Sequence, residues 1–235
     1  MAIAGVILAA GESARMGRDK ALLPWPPEAH PSRKEREKDG APASAEAPHP
    51  SKTAKGGAAS PTTGTILSSA MQALSQVCDM VIVVAGNNEK ALEPVVYGGG
   101  AFLVRNPHPE RGQFSSLQTG LRDVLNRGWD NAMVTLVDRP PASAGTLRKL
   151  VDAFRGRYHG VWAIIPEYQG KHGHPILIGR EMIEAFLRAP ATSNAREVEH
   201  ANQERITYVA VDDPLVAVNV DTPQEYEKQA LGFRL

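Results

Sequence analysis

Residues 3–20 read IAGVILAAGESARMGRDK, an apolar run that stops at a glycine and continues into a basic segment. The apolar part predicts a buried strand, and Gly11 lets the backbone turn tightly and point N–H groups at an anion. Arg15 can hold phosphate oxygens through two hydrogen bonds, and Lys20 adds a compact positive charge. The glycine spacing matches neither the dinucleotide fingerprint nor the P-loop. The segment therefore suits a triphosphate, with a basic surface turn as the alternative.

Outward from this segment, strand-like and helix-like stretches alternate. Apolar and β-branched runs predict strands at 79–84, 102–104, 132–137, 161–165, 175–178, 206–211 and 215–220. Helical spacing predicts helices at 66–74, 115–125, 146–154 and 181–187, the second of them capped by Ser115, and a last helix that begins at Thr222 and Pro223. This alternation predicts the α/β class, with one Rossmann-like, mostly parallel sheet covered by helices on both faces.

Several polar residues follow predicted strands, where ligands of such sheets bind. They are Gly11, Asn106, Asp138 and Asp221. A buried charge without a partner is costly, so Asp138 is interpreted as an oxygen ligand for Mg²⁺, with an N-cap of the next segment as the alternative. Asp221 directly precedes the helix start at Thr222, so the residues alone leave a capping role open for it.

The bulk composition is that of an ordinary protein with a core, since 42% of the 235 residues are hydrophobic. Lysine plus arginine and aspartate plus glutamate both number 26, so no nucleic-acid or membrane partner is expected. The single cysteine, Cys78, is expected to be a buried packing residue in a reducing compartment. No apolar run reaches the roughly 20 residues of a membrane span, and the first strand lacks the basic start of a signal peptide. A cytoplasmic location is expected.

A stretch at about 26–64 contrasts with everything around it. It has no Val, Ile, Leu, Met, Phe, Tyr or Trp and includes the charged run RKEREK at 33–38. With nothing to bury, it cannot offset the conformational entropy of ordering, so we expect a disordered insertion. Its ends, at Trp25 and Thr65, are expected to lie close together. A neutral surface insertion is the favoured interpretation, with a lid as the alternative.

His172 and His174 form an His-x-His pair that invites a zinc interpretation. No cysteine and no third histidine stands at ligand spacing, so a zinc site is not favoured. A structural turn before the strand at 175–178 stays open as an alternative role for this segment.

The opening segment, extended to LAAGESARMGRDKALLPW at 8–25, closely resembles the signature of the molybdenum cofactor nucleotidyltransferases, which have the nucleotide-diphospho-sugar transferase fold. Further motifs follow in that family's order, as NP at 106–107, Gly112 before SSL at 115–117, LVDRP at 136–140, GHP at 173–175 and VDTP at 220–223. Together they cover nearly all of a single nucleotidyltransferase domain, 1–235, except its insertion. The AAG turn and the GHP element look most like the cytidylyltransferases, because guanylyltransferases more often carry AGG.

The resemblance implies an enzyme, a Mg²⁺-dependent nucleotidyltransferase. It implies transfer of an NMP unit, CMP from CTP, to a phosphorylated acceptor, molybdopterin, with release of pyrophosphate. The implied partners are the nucleoside triphosphate, this acceptor, and a molybdoenzyme that receives the finished cofactor.

The resemblance also implies roles for individual residues. It implies catalytic roles for Arg15, Lys20 and Asp138, and Mg²⁺ binding by Asp138 and Asp221. The implied nucleotide-binding residues are Leu8, Ala9, Ala10, Gly11, Arg15, Lys20 and Ser116. The implied acceptor-binding residues are His174 and Arg196, with a solvated helix face as the alternative for Arg196.

Two residues depart from the family's pattern. Arg139 stands where the family more often has Met or Gln, which leaves the acceptor contacts there open. Asn219 stands where the cytidylyltransferases commonly carry a further Asp, so the second metal ligand, Asp221 or Asn219, is left open as well.

Three other functions stay open at this point. A guanylyl- or sugar-phosphate nucleotidyltransferase of the same fold would use the same motifs. An NAD(P)-dependent oxidoreductase would need an acidic residue for the ribose after the second strand, which instead ends in VAG at 84–86. A non-catalytic cofactor-handling protein would keep the pocket without turnover. Pyrophosphate release separates this last function from an enzyme.

Overall fold

The structure is a computed structural model that describes residues 1–11, 16–26 and 64–232. Its strands are β1 (Ala4–Leu8), β2 (Pro24–Trp25), β3 (Gly64–Thr65), β4 (Met80–Ala85), β5 (Phe102–Arg105), β6 (Asn131–Leu136), β7 (Ala163–Tyr168), β8 (Lys171–His172), β9 (Ile176–Gly179) and β10 (Ile206–Ala210). Its helices are α1 (Ile66–Ser75), α2 (Glu89–Gly98), α3 (Gln113–Asn126), α4 (Ala144–Arg155), α5 (Arg180–Arg188), α6 (Ala195–Ala201) and α7 (Pro223–Gly232).

The main sheet has the strand order β10-β7-β9-β6-β1-β4-β5, with β8 paired to β7. β1 runs parallel to both β4 and β6, and the outer pairs β4–β5 and β7–β10 are parallel too. β9 is antiparallel to β6 and β7. The predicted α/β fold with a mostly parallel sheet is therefore confirmed.

Helices cover both faces of this sheet, as predicted. All five residues of β1 are buried, because the strand is covered on both sides. Ile7 packs in a core cluster with α1, α2 and α4, whereas Val6 packs in a second cluster with α3 and α5. Each fully buried aliphatic side chain stabilises such a core by about 1.5–3 kcal/mol. The apolar runs thus form central strands, because helices pack against both faces of the sheet and bury the side chains on each.

Two sequence-based predictions about local structure are wrong. Ser115 does not cap α3, which begins at Gln113 after the N-cap Gly112. Gly112 has φ 84°, a left-handed conformation that favours glycine, and it starts the helix three residues before the predicted cap. The run at 215–220 is not a strand but overlaps the 3-10 turn Pro214–Ala217, because Asp213 accepts a hydrogen bond from Leu215 N and caps that turn.

Cys78 is buried, as expected of a packing residue. Burial, with a smaller contribution from Asp79, raises the pKa of its thiol to about 12, so the thiol stays protonated and unreactive. Among the described residues no helix has both the length and the apolar character that a membrane span requires.

Residues 27–63, which make up nearly all of the predicted insertion, lie outside the described residues. The predicted disorder and the lid alternative lie outside them too. The flanking residues are described, and they form an antiparallel ladder in which Trp25 pairs with Gly64 and Pro24 with Thr65. The prediction that the ends of the insertion lie close together is confirmed.

Candidate active site

A cavity of about 560 Å³ opens beyond the carboxyl ends of β1 and β6. The chain leaves β1 toward β4 on one side and later returns to β6 on the other, so the cavity lies at a topological switch point of the sheet. The cavity is lined by Leu8, Ala10, Gly11, Lys20, Pro109, Gly112, Gln113, Ser116, Leu136, Val137, Asp138, Arg139, Asn219 and Asp221. Most of the predicted site residues are therefore brought together.

The turn after β1 is held by an amide that sequence reasoning missed. Asn88 Nδ2 donates to Ala9 O (2.9 Å) and to Asp19 Oδ2 (2.7 Å), which joins the turn to the segment before Lys20. Ala9 is buried in the core and does not line the cavity, unlike its neighbours at 8, 10 and 11. A Cβ at Gly86 would lie 2.7 Å from Ala10 O, so glycine is required where β4 passes this turn.

Lys20 lies between the two predicted metal carboxylates. Its Nζ is 2.8 Å from Asp221 Oδ1 and 3.7 Å from Asp138 Oδ2, and its side chain is only 12% exposed. Asp19 fixes the start of the Lys20–Leu22 turn by accepting a hydrogen bond from Ala21 N (3.0 Å). Arg15, which was predicted to share the phosphate, lies outside the described residues.

Asp138 stands where three segments meet. Val137 N donates to Leu8 O (3.0 Å), and Val220 N donates to Asp138 O (2.8 Å). The helix that follows is capped by Ser143, whose hydroxyl accepts from Thr146 N, so Asp138 is not its N-cap.

The carboxyl group of Asp138 is largely shielded from solvent. Burial raises the pKa of the Asp138 carboxyl above its ordinary value, and the nearby Asp221 carboxylate raises it further. Lys20 opposes both effects and lowers this pKa, with a smaller contribution from Arg139. The site thus favours a cation beside Asp138.

Asp221 does not act as the cap of α7. Thr222 Oγ1 accepts from Glu225 N (3.2 Å), and Glu225 Oε2 accepts from Thr222 N (2.9 Å) and from Asp221 N (2.8 Å). This reciprocal pair is a capping box and leaves the Asp221 carboxylate to other contacts. That carboxylate accepts hydrogen bonds from Lys20 and from Asn219 Nδ2.

The residues present suit a hard cation. Within the described part of the chain, four buried side-chain polar atoms have no hydrogen-bond partner, namely Asp138 Oδ1, Arg139 Nε, His174 Nδ1 and Asn219 Oδ1. Two of them are oxygens on cavity-lining residues, and oxygen is the ligand atom that Mg²⁺ prefers. No group of three or more His, Cys, Asp and Glu side chains suits a metal among these described residues. The oxygens that could hold a cation in this cavity belong to two carboxylates, Asp138 and Asp221, and to the amide of Asn219.

Ser116 lies on the opposite wall, in the first turns of α3. It is buried and lines the cavity, and its Oγ accepts from Asn106 Nδ2 (3.0 Å). The same amide donates to Ser115 Oγ (2.8 Å), so Asn106 orients both hydroxyls from the end of β5. The sequence marked Asn106 as a strand-end residue, and the structure gives it a positioning role.

The two predicted acceptor residues do not line the cavity. His174 is mostly buried beside Arg139, and burial together with that guanidinium lowers the pKa of His174 to about 3. Arg196 is exposed in the first turn of α6, which packs on α5. Arg139 is the cavity-lining residue at this end, although no site role was predicted for it.

The sequence of the chain matches a known protein family. Residues 54–206 match the family model described as the MobA-like NTP transferase domain. The chain is 24% identical over 230 residues to the molybdenum cofactor cytidylyltransferase of Escherichia coli K12, covering 96% of this chain and 94% of that protein. It is 30% identical over 151 residues to a probable molybdenum cofactor guanylyltransferase of Mycobacterium avium, covering 64% of this chain and 57% of that protein.

A solved structure has the same fold. The Rv0371c protein of Mycobacterium tuberculosis superposes with a TM-score of 0.71 at 23% identity, with 98% of each chain covered. Its complex with manganese superposes with a TM-score of 0.66 at 20% identity, over 98% of this chain and 99% of that one. At these identities the likeness shows the fold alone.

Proposed function

Because the chain belongs to the MobA-like NTP transferase family, we propose that it transfers CMP from CTP to the phosphate of molybdopterin and releases pyrophosphate. One observation carries the proposal. Lys20, Asp138 and Asp221 meet in one cavity directly beside the Ala10–Gly11 turn, although 201 positions separate Lys20 from Asp221 in the sequence. Such a concentration of charge at a switch point suits a bound triphosphate.

In the proposed reaction an oxygen of the acceptor phosphate attacks the α-phosphorus of CTP. A new phosphoanhydride bond forms as the bond to the β-phosphate oxygen breaks, and pyrophosphate leaves with the electron pair. This chemistry needs no protein nucleophile, because alignment of the anions and neutralisation of charge carry the catalysis. The backbone of residues 8–11 and the Ser116 hydroxyl would hold the nucleotide. Lys20 and Arg15 would stabilise the charge that develops on pyrophosphate.

A divalent ion, Mg²⁺, would be held by Asp138 and Asp221, with Asn219 Oδ1 as a third oxygen. When bound, the ion would supply positive charge that offsets the charge of the phosphates. The unpartnered oxygens of Asp138 and Asn219 support this assignment. So does the manganese bound by a protein of the same fold.

A pyrophosphate-release assay tests the proposal. Purified protein is mixed with Mg²⁺, molybdopterin and each of the four nucleoside triphosphates in turn, and mass spectrometry identifies the nucleotide joined to the acceptor. We expect CTP to give the fastest release, and no release without molybdopterin. Absence of release with every triphosphate would overturn the enzymatic function and favour a protein that only handles the cofactor.

A guanylyltransferase is the second candidate, favoured by the 30% identity to the Mycobacterium avium relative. The cytidylyl assignment is supported by the AAG turn and by a relative that spans 96% of this chain. Equimolar CTP and GTP in one reaction decide between them. Equal or greater incorporation of GMP would move the chain to the guanylyl branch.

A further inference from the structure

Arg139 occupies a wall of the cavity next to Asp138 and is held there by its neighbours. Its backbone N–H donates to Leu136 O (3.0 Å), which closes the turn after β6. Its Nη1 donates to Val218 O (3.2 Å), two residues from the carbonyl of Val216 that accepts from His174 N (3.0 Å). Arg139 and His174 are therefore fixed side by side against one segment, 216–218.

The guanidinium of Arg139 retains unused hydrogen-bonding capacity. It has five N–H donors, and the described residues give its buried Nε no acceptor. Because Nε is buried, an anion in the cavity would bind through the Nη donors that the bond to Val218 O leaves over. His174 cannot share the charge, since its pKa of about 3 keeps it neutral near pH 7. The positive charge on this wall belongs to Arg139.

The order of the strands separates this wall from the nucleotide turn. β6, which ends at Leu136 two residues before Asp138, lies between β1 and β9 in the sheet. The Ala10–Gly11 turn follows β1 on one side, and His174 precedes β9 on the other. Arg139 also contacts the small pocket lined by Ala70, Leu147 and Pro175, on the face opposite to the one that α3 and Ser116 cover. An anion at Arg139 would thus approach Asp138 from the side away from Ser116 and the turn.

We propose that Arg139 is a specificity-determining residue that binds the phosphate monoester of the acceptor. The inference rests on the proposed function, since it assigns the two anions of that reaction to two walls of the site. In-line transfer needs the attacking and leaving oxygens on opposite sides of the α-phosphorus. A forked guanidinium on the wall facing away from the nucleotide turn orients the attacking phosphate, because it can donate two parallel hydrogen bonds.

Four variants test this assignment: Arg139→Gln, Arg139→Lys, Lys20→Ala and the control Arg148→Gln, which removes an exposed charge from α4. The Michaelis constants for molybdopterin and CTP are measured for each. Phosphorus NMR separately follows binding of inorganic phosphate to each protein, with and without saturating CTP and Mg²⁺. Arg139→Gln should weaken both acceptor and phosphate binding by about 10- to 100-fold and leave the CTP constant within about twofold. Lys20→Ala should act mainly on CTP, and Arg139→Lys should fall between wild type and Arg139→Gln.

The outcomes separate this inference from the proposed function. If wild type turns over no molybdopterin but binds phosphate in an Arg139-dependent way, the acceptor proposal fails and the role of Arg139 stands. If phosphate binding is the same in Arg139→Gln and Arg148→Gln, the inference is overturned. It is equally overturned if Arg139→Gln raises the CTP constant as Lys20→Ala does. If Arg139→Gln does not fold, the same measurements are made on Arg139→Lys, which keeps the positive charge but lacks the planar guanidinium that donates two parallel hydrogen bonds.

Discussion

The ammonium of Lys20 and the carboxylate of Asp221 lie 2.8 Å apart, although 201 positions separate them in the sequence. Both side chains are less than one-fifth exposed, so solvent screens their attraction weakly compared with an ion pair on the surface. The candidate site is thus assembled by long-range contacts between the first and last motifs of the chain.

Replacing Lys20 with Met should lower the free energy of unfolding at pH 7 by about 1–3 kcal/mol, because it leaves two shielded carboxylates without their cation. Urea denaturation in EDTA measures this change. Lys90→Met, on the exposed side of α2, is the matched control and should change stability little. Equal stability of the two variants would show that the ion pair contributes nothing to the fold.

Replacing Asp138 with Asn should reduce turnover about 100-fold or more, equivalent to roughly 3 kcal/mol of transition-state stabilisation. Stability should respond differently. The pKa of the Asp138 carboxyl is raised in the folded protein, so the native state binds a proton there more tightly than the unfolded chain does. The free energy of unfolding of the wild type therefore rises as the pH falls through the folded-state pKa toward the ordinary value of 3.8. The variant should lack this gain. Asp152→Asn, an exposed change in α4, serves as the control in both assays.

Replacing Asn219 with Asp tests which oxygens hold the cation. A third carboxylate beside Asp138 and Asp221 should destabilise the protein in EDTA by about 1 kcal/mol or more, through repulsion of like charges. Added Mg²⁺ should then raise the melting temperature of the variant more than that of wild type, because it binds the folded state more tightly. The exposed Asn126→Asp controls for net charge. An identical response of both variants to Mg²⁺ would place Asn219 outside the metal site.

His174 should make the protein sensitive to acid. In the unfolded chain this histidine takes up a proton near its ordinary pKa of 6.5, whereas in the fold it does so only near 3. The free energy of unfolding should therefore fall as the pH drops from about 6.5 to 3, because the unfolded state binds the additional proton. Denaturation of His174→Gln across this window should show a shallower slope. The exposed His159→Gln should keep the wild-type dependence of the free energy of unfolding on pH. The prediction is contradicted if His174→Gln shows the same dependence as His159→Gln.

Residues 27–63 should be dispensable for both folding and catalysis. They have no large apolar side chains, so their removal takes no packing from the hydrophobic core. The pairing of Trp25 with Gly64 already holds the flanking residues together. A short Gly/Ser turn in their place should leave the free energy of unfolding within about 1 kcal/mol, since closure entropy depends only weakly on loop length. Trp25→Ala, which removes a buried anchor, should cost about 3–5 kcal/mol by comparison. A loss of more than about tenfold in activity would favour the lid.

The sequence predicted best what depends on local pattern. The strands β1, β4 and β6 were predicted because a strand covered by helices on both faces is a continuous apolar run. The helices α1 and α4 were predicted because each buries one face, which spaces its apolar residues at the helical period. The polar residues at their ends followed from the geometry of parallel sheets, which explains why Asp138 and Gly11 could be placed near one site.

What failed depends on contacts that no local pattern records. Helix α2 was not predicted, because Pro94 interrupts its pattern and only Leu92 and Val96 are buried. The turn at 214–217 has the apolar composition of a strand, but the side chain of Asp213 bends the backbone. The positioning role of Asn88 arises from bonds across distant segments, as does the adjacency of Arg139 to His174. Their neighbours in sequence give no sign of either.

The short ladder between Trp25 and Gly64 also makes this position an attachment point for a guest protein. A fluorescent domain spliced in place of residues 27–63 would leave and re-enter the host through two adjacent strands. Pro24 O accepts a hydrogen bond from Tyr226 OH at 2.6 Å, so the same strand touches α7, which follows Asp221. The point of attachment would thus lie against the helix that follows Asp221, so the graft would be joined to the candidate site through one hydrogen-bonded contact.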